Sequence, residues 1–91
     1  MFVLIAYDIS DDRRRRSIEK ILSSYGKRVN YSVFEVEISK TNFKKLVEKL
    51  QNDSDSKEDH IRCYVLNKES LKSSFVLHRK SQVFGDEPLY F

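Results

Sequence analysis

The sequence predicts an α+β sandwich with two helices packed on one face of an antiparallel sheet. Its 91 residues make one domain. Strand-type and helix-type apolar periods alternate along the chain, and the order they produce is βαββαβ.

Phe2 to Tyr7 is an unbroken apolar run of strand formers that stops at Asp8, as expected of a central strand covered on both faces. Ser10, Asp11 and Asp12 suit a helix N-cap, and Ile18, Ile21, Leu22 and Tyr25 follow at helical spacing. Gly26 is expected to end that helix as its C′ residue. From Val29 the alternation uses Tyr31 and Val33, then changes phase to Phe34, Val36 and Ile38. That slip requires a bulge or a strand boundary at Val33 and Phe34.

Thr41 or Asn42 would cap a second helix with the stripe Phe43, Leu46, Val47 and Leu50, and Gln51 to Asp59 reads as a solvated loop. Ile61, Cys63 and Val65 alternate as another strand. Lys68 to Lys72 suggests a helical turn and Phe75 to Leu77 a short strand. The whole is a ferredoxin-like sandwich, residues 1–78, with an extra C-terminal strand in a tail, 79–91. That tail carries Val83, Phe84, Leu89, Tyr90 and Phe91. Each large apolar side chain left in water forgoes about 1.5–3 kcal/mol, so docking on a partner protomer's sheet is expected. A chain this short buries only about two thirds of its unfolded surface, a margin that a homodimer would improve.

Seventeen Lys and Arg against fourteen Asp and Glu give a net charge of +3, which permits nucleic acid without requiring it. The single cysteine, Cys63, excludes a disulfide framework and a paired-cysteine zinc site, and reads as a small buried thiol. The opening apolar run is far shorter than the roughly 20 residues of a membrane span and lacks a signal peptide's basic flank, so a cytoplasmic protein is expected. Two glycines leave no Gly-rich phosphate cradle and speak against a nucleotide cofactor. His60 and His78 lack ligand spacing and read as surface or strand residues.

Arg13, Arg14, Arg15 and Arg16 enter the first turn of a helix, where the macrodipole prefers anions and each cation costs about 0.3–1 kcal/mol. Free helix N–H groups and bidentate guanidinium donors together would clamp a phosphate backbone. The alternative is a solvated charge run partly neutralised by Asp11 and Asp12. Asp8, directly after an apolar strand, needs a cation or donors to satisfy it. It is therefore the catalytic or metal-binding candidate, against the plainer reading of a turn aspartate. One carboxylate makes a poor Mg²⁺ site, and two-fold symmetry would supply a second. Tyr31 and Phe34 are expected to pack in the core, and Ser32 without a His and Asp pattern makes no triad.

Tyr7-Asp8-Ile9-Ser10-Asp11-Asp12 before the arginines, then Asn30-Tyr31-Ser32-Val33-Phe34-Glu35, resemble the small CRISPR-associated endonuclease-like family of the adaptation machinery. His60-Ile61-Arg62-Cys63-Tyr64 extends the resemblance to nearly the whole chain. It implies a ferredoxin-like homodimer whose strand-end aspartates, Asp8 here, face each other across the dimer axis and hold Mg²⁺. It implies supporting roles for Tyr7, Arg15, Arg28, Ser32 and Phe34, and the adaptation integrase as partner. Some relatives carry a further arginine where Ser17 stands, and a small residue is frequent at Val36.

The implied function is metal-dependent phosphodiester hydrolysis, of single-stranded RNA or duplex DNA, in spacer acquisition and antiviral defence. Asp8 would hold the metal, and Arg13 to Arg16 with Arg28 would position nucleic-acid phosphates. The alternative is a non-catalytic scaffold gripping duplex DNA in the adaptation complex. A single-stranded RNA-binding module is disfavoured because its aromatic platform motif is missing. A toxin-type endoribonuclease of related fold would share the size, the dimer and the strand-end aspartate.

Overall fold

A computed structural model describes residues 1–78, so the expected tail strand within 79–91 lies outside the described residues. The elements are β1 (Phe2–Asp8), α1 (Asp12–Ser23), β2 (Lys27–Asn30), β3 (Val33–Glu37), α2 (Lys40–Asp53), β4 (His60–Leu66) and α3 (Lys68–Lys72). The sheet order is β2-β3-β1-β4, antiparallel throughout. This is the expected ferredoxin-like architecture. The apolar first strand lies inside the sheet, flanked by β3 and β4.

Strand pleating divides β1 between two faces. Val3, Ile5 and Tyr7 join Phe34 and Val36 of β3 against the helices, where Ile18, Leu22, Leu46 and Leu50 complete the buried cluster. Leu4 and Ala6 look the other way and are half-buried. The expectation that β1 is covered on both faces therefore holds for its helix side, since both long helices lie there.

Each helix begins at a side-chain cap. The Asp11 carboxylate accepts from the Arg14 N–H of α1, and the Ser39 hydroxyl from the Asn42 N–H of α2. Ser39, not Thr41 or Asn42, takes this place because β3 is tied off one residue earlier: Ile38 N–H donates to the Met1 carbonyl at 2.8 Å. Helix α1 caps at Ser24, so Gly26 is not its C′ residue and its φ lies outside the left-handed region. A close approach explains the glycine. A Cβ there would overlap the Glu35 carbonyl oxygen and stand 2.7 Å from Val36 Cγ2.

The strand boundary falls between Asn30 and Val33, with the register irregularity at Arg28 to Asn30. Tyr31 consequently sits in the turn and is 89% exposed, not in the core. Phe34 is buried as expected. Cys63 is exposed, because β4 is a sheet edge. It borders a groove with Val47, Leu50 and Ile61, where partial desolvation pushes its thiol pKa up. Phe75 to Leu77 forms no strand within the described residues. No helix among the described residues is long and apolar enough to cross a membrane.

The segment between α2 and β4 is anchored, not merely solvated. Arg14 Nε donates to Asp59 Oδ2 at 2.8 Å and Arg14 Nη2 to Glu58 Oε2 at 3.2 Å. The Asp59 side chain is 1% exposed and also accepts from the Asp55 N–H. The Arg14 hydrogen bond holds the Asp59 carboxyl below the usual aspartate range. Its contribution is therefore complete above that range and is lost as pH falls through the depressed value.

Two outcomes follow from this packing. Gly26→Ala should destabilise the chain by about 1–3 kcal/mol in chemical denaturation, since the obstructing atom is backbone. Arg14→Ala should lower the melting temperature more than Arg13→Ala does, with the gap between them closing in acid. Equal melting temperatures at neutral pH would contradict the anchoring role.

Candidate functional site

The carboxyl end of β1 places consecutive residues on opposite sides of the sheet. Tyr7 points into the helix side and is 5% exposed, whereas Asp8 is exposed on the open side. The Tyr7 N–H donates to the Ser32 carbonyl at 3.0 Å, which ties the β2–β3 turn to the end of β1.

On the helix side, the Tyr7 hydroxyl is the hub. It lies 2.6 Å from the Glu19 carboxylate of α1 and 2.9 Å from the Tyr31 carbonyl, either of which accepts its proton. Arg28 of β2 donates to the same oxygen at 3.1 Å, pairs with Glu19, and stands 5.5 Å from the Phe34 ring centroid. Burial, reinforced by Glu19 and opposed by Arg28, pushes the phenol pKa above its ordinary value. Tyr7 stays protonated at neutral pH and is a donor here, not a base.

Arg15 donates to Asp12 at 2.7 Å and toward the Ile9 carbonyl at 3.4 Å. With Arg28, Tyr31, Ser32 and Glu19 it lines a cleft of about 460 Å³ that reaches Tyr7 and Asp8. Arg14 is absent from this cleft, held by Asp59. Arg13 and Arg16 are exposed and make no ion pair among the described residues. The arginine run is thus divided: one anchors the fold, one faces the cleft, and two face solvent. The helix N-terminus also has an acceptor already, in Asp11.

On the open side, antiparallel register sets Asp8 opposite His60 and Ala6 opposite Arg62. These residues, with Tyr7, line a second cleft of about 330 Å³. The Asp8 carboxylate makes no hydrogen bond or ion pair among the described residues. No group of three His, Cys, Asp or Glu suited to a metal occurs among the described residues. The described side chains around Asp8 therefore form no closed structural metal site, and a cation there would need further oxygen ligands.

Tyr7, Asp8, Ser32, Arg15 and Arg28 do converge, and Phe34 supports them from the core. His60, Arg62 and Glu19 belong to the neighbourhood but were missing from the sequence-derived set. The alternation in β4 puts His60 and Arg62 on one face, yet only the strand order sets that face beside Asp8. Glu19 carried no signal, since its partners lie 12 and 9 residues away.

Tyr7→Phe should cost about 1–3 kcal/mol of stability by removing a buried, multiply bonded hydroxyl. Urea denaturation of the variant measures it, and a neutral result would show that the Glu19–Arg28 pair holds the turn without it.

The family model for CRISPR associated protein Cas2 matches residues 1–73. The CRISPR-associated endoribonuclease Cas2 3 of Synechocystis sp. is 41% identical over 86 residues, which is 94% of this chain and 86% of that protein. The crystal structure of Streptococcus pyogenes Cas2 aligns with a TM-score of 0.70 at 36% identity, covering 75% of this chain and 88% of its counterpart. A chain in a partial Cas6-RT-Cas1–Cas2 complex aligns with a TM-score of 0.69 at 34% identity, over 84% and 89% of the two chains. Sequence likeness that runs through the β1 end and the β2–β3 turn, on the same sheet and helices, makes this chain a member of the CRISPR-associated Cas2 family.

Proposed function

We propose that this chain is a CRISPR-associated endonuclease that hydrolyses phosphodiester bonds with the help of a divalent cation. In this reading it acts in the cytoplasm as a homodimer, beside the adaptation integrase, in spacer acquisition. The observation that carries the proposal is Asp8, an exposed carboxylate at the end of a central strand with no partner among the described residues. The cationic Arg62 shares its cleft. Relatives named endoribonucleases make RNA the first substrate to test, with duplex DNA the second. A relative assembled with Cas1 supports the integrase as partner.

Asp8 is the residue that would hold the cation, Mg²⁺ in the simplest case. A bound divalent ion supplies Lewis-acid stabilisation of phosphoryl charge. Arg62 in the open-side cleft and Arg15 in the helix-side cleft, both of which reach Asp8, would orient the phosphate by bidentate hydrogen bonds. Tyr7, Arg28 and Phe34 act as positioning residues, fixing the turn beside Asp8. The Ser32 contribution is its carbonyl, which holds Tyr7, and no base is arranged to make its hydroxyl a nucleophile.

Dimerisation through the open sheet face is part of this proposal. That face carries half-buried Leu4, Ala6 and Val33, and Glu35 of β3, 7% exposed with its Oε1 unpartnered among the described residues. An orphaned buried acceptor is costly alone and is relieved by a donor from a second surface. Docking of the tail 79–91 on the partner protomer belongs to the same reading.

A specific observation favours a second reading, a duplex-binding scaffold: Arg13 and Arg16 point to solvent without ion pairs among the described residues. Replacing both by alanine should reduce the salt dependence of duplex binding by a log–log slope of about 2. For the nuclease, Asp8→Asn should lower Mg²⁺-dependent cleavage of labelled RNA at least about a hundredfold, the upper end of what outer-shell losses cost at metal sites. Circular dichroism should stay unchanged. Wild type that binds duplex but cleaves nothing would replace the nuclease reading with the scaffold.

A further inference from the structure

The open-side cleft holds a second potential metal ligand. Asp8 and His60 are direct partners in the β1–β4 register, so their side chains leave the same face from adjacent strands. Both are exposed, and both border the same cleft. Neither side chain makes a hydrogen bond or ion pair among the described residues, and the two side chains do not bond each other. Antiparallel neighbours stand about 4.5–5.5 Å apart at Cβ, a spacing at which a carboxylate and an imidazole can converge on one small cation. His60 has a further advantage as a ligand. As an exposed side chain it pays little to reorient, and its second ring nitrogen can remain hydrated.

The chemistry of the pair differs from that of a lone aspartate. Carboxylate and water oxygens suit Mg²⁺, which prefers a hard octahedral oxygen shell. An imidazole nitrogen is a borderline donor that favours divalent transition ions. A symmetric dimer would contribute two such pairs. We propose that Asp8 and His60 together bind a divalent transition ion in preference to Mg²⁺, so that the cation serving this site is set by His60 as well as by Asp8. This rests on the reading of Asp8 as the metal carboxylate.

The test uses Mn²⁺ on the untagged full chain, since Mn²⁺ is the weakest binder of the first-row series and so the stringent probe. Binding is followed by loss of the free Mn²⁺ electron paramagnetic resonance signal, with Mg²⁺ as competitor. Pulsed measurements then detect nitrogen coordinated to the bound ion. The sequence contains two histidines, His60 and His78, so the assignment is decidable by substitution.

Wild type should bind Mn²⁺ at least about tenfold more tightly than Mg²⁺ and show nitrogen coupling. His60→Ala should lose the coupling and about tenfold in Mn²⁺ affinity while leaving Mg²⁺ affinity within about twofold. His78→Ala should behave as wild type. Asp8→Asn should weaken both ions. If Asp8→Asn abolishes binding but His60→Ala changes neither affinity nor coupling, the mixed site is wrong and the nuclease reading survives. If neither substitution alters metal binding, both fail. Coupling that disappears only in His78→Ala overturns the assignment as well.

Discussion

The Tyr7 hydroxyl joins three parts of the fold. It sits at the end of β1, bonds to Glu19 of α1 and to the carbonyl of Tyr31, and receives a hydrogen bond from Arg28 of β2. Its own N–H holds the Ser32 carbonyl from the same turn. A buried hydroxyl is costly unless paired, so these contacts come as a set. They lock the β2–β3 turn against the last residues of β1. Because the strand pleat reverses at each residue, the same lock presents Asp8 on the opposite side of the sheet.

Charge is distributed to match that division. On the helix side three arginines are paired internally: Arg28 with Glu19, Arg15 with Asp12, and Arg14 with the buried Asp59. Asp11 and Asp12 offset the cost of cations at the start of α1, which explains why a helix tolerates four of them there. On the open side Asp8 faces His60, and Arg62, two residues further along β4, donates to the Tyr64 hydroxyl at 3.4 Å.

Much of the fold was legible from periodicity. The apolar run of β1, the stripes of α1 and α2 and the alternation of β4 each appear where expected, because burial imposes its period on the local sequence. The phase change near Val33 correctly marked a strand boundary, but it could not say that Tyr31 would be left in the turn. Ser39 as cap and Cys63 at an edge depend on where strands end and which strand lies outermost, and neither leaves a local trace. The candidate site was legible in outline, through Asp8 and the two motif blocks. The separate duties of the arginines were not, since Arg14 finds Asp59 45 residues away. His60 was passed over for the same reason: its proximity to Asp8 is created across two strands and leaves no spacing along the chain.

The central claim, that Asp8 on the open face is where a divalent cation acts, is tested most directly by titrating isotopically labelled chain with sub-stoichiometric Mn²⁺ and recording amide nuclear magnetic resonance spectra. Paramagnetic broadening falls off steeply with distance and so reports position without requiring turnover. The account predicts that the amides around Asp8 and His60 vanish first, while those of Asp55 to Asp59 and the start of α1 persist. Broadening centred on that acidic segment, with Asp8 unaffected, would contradict it.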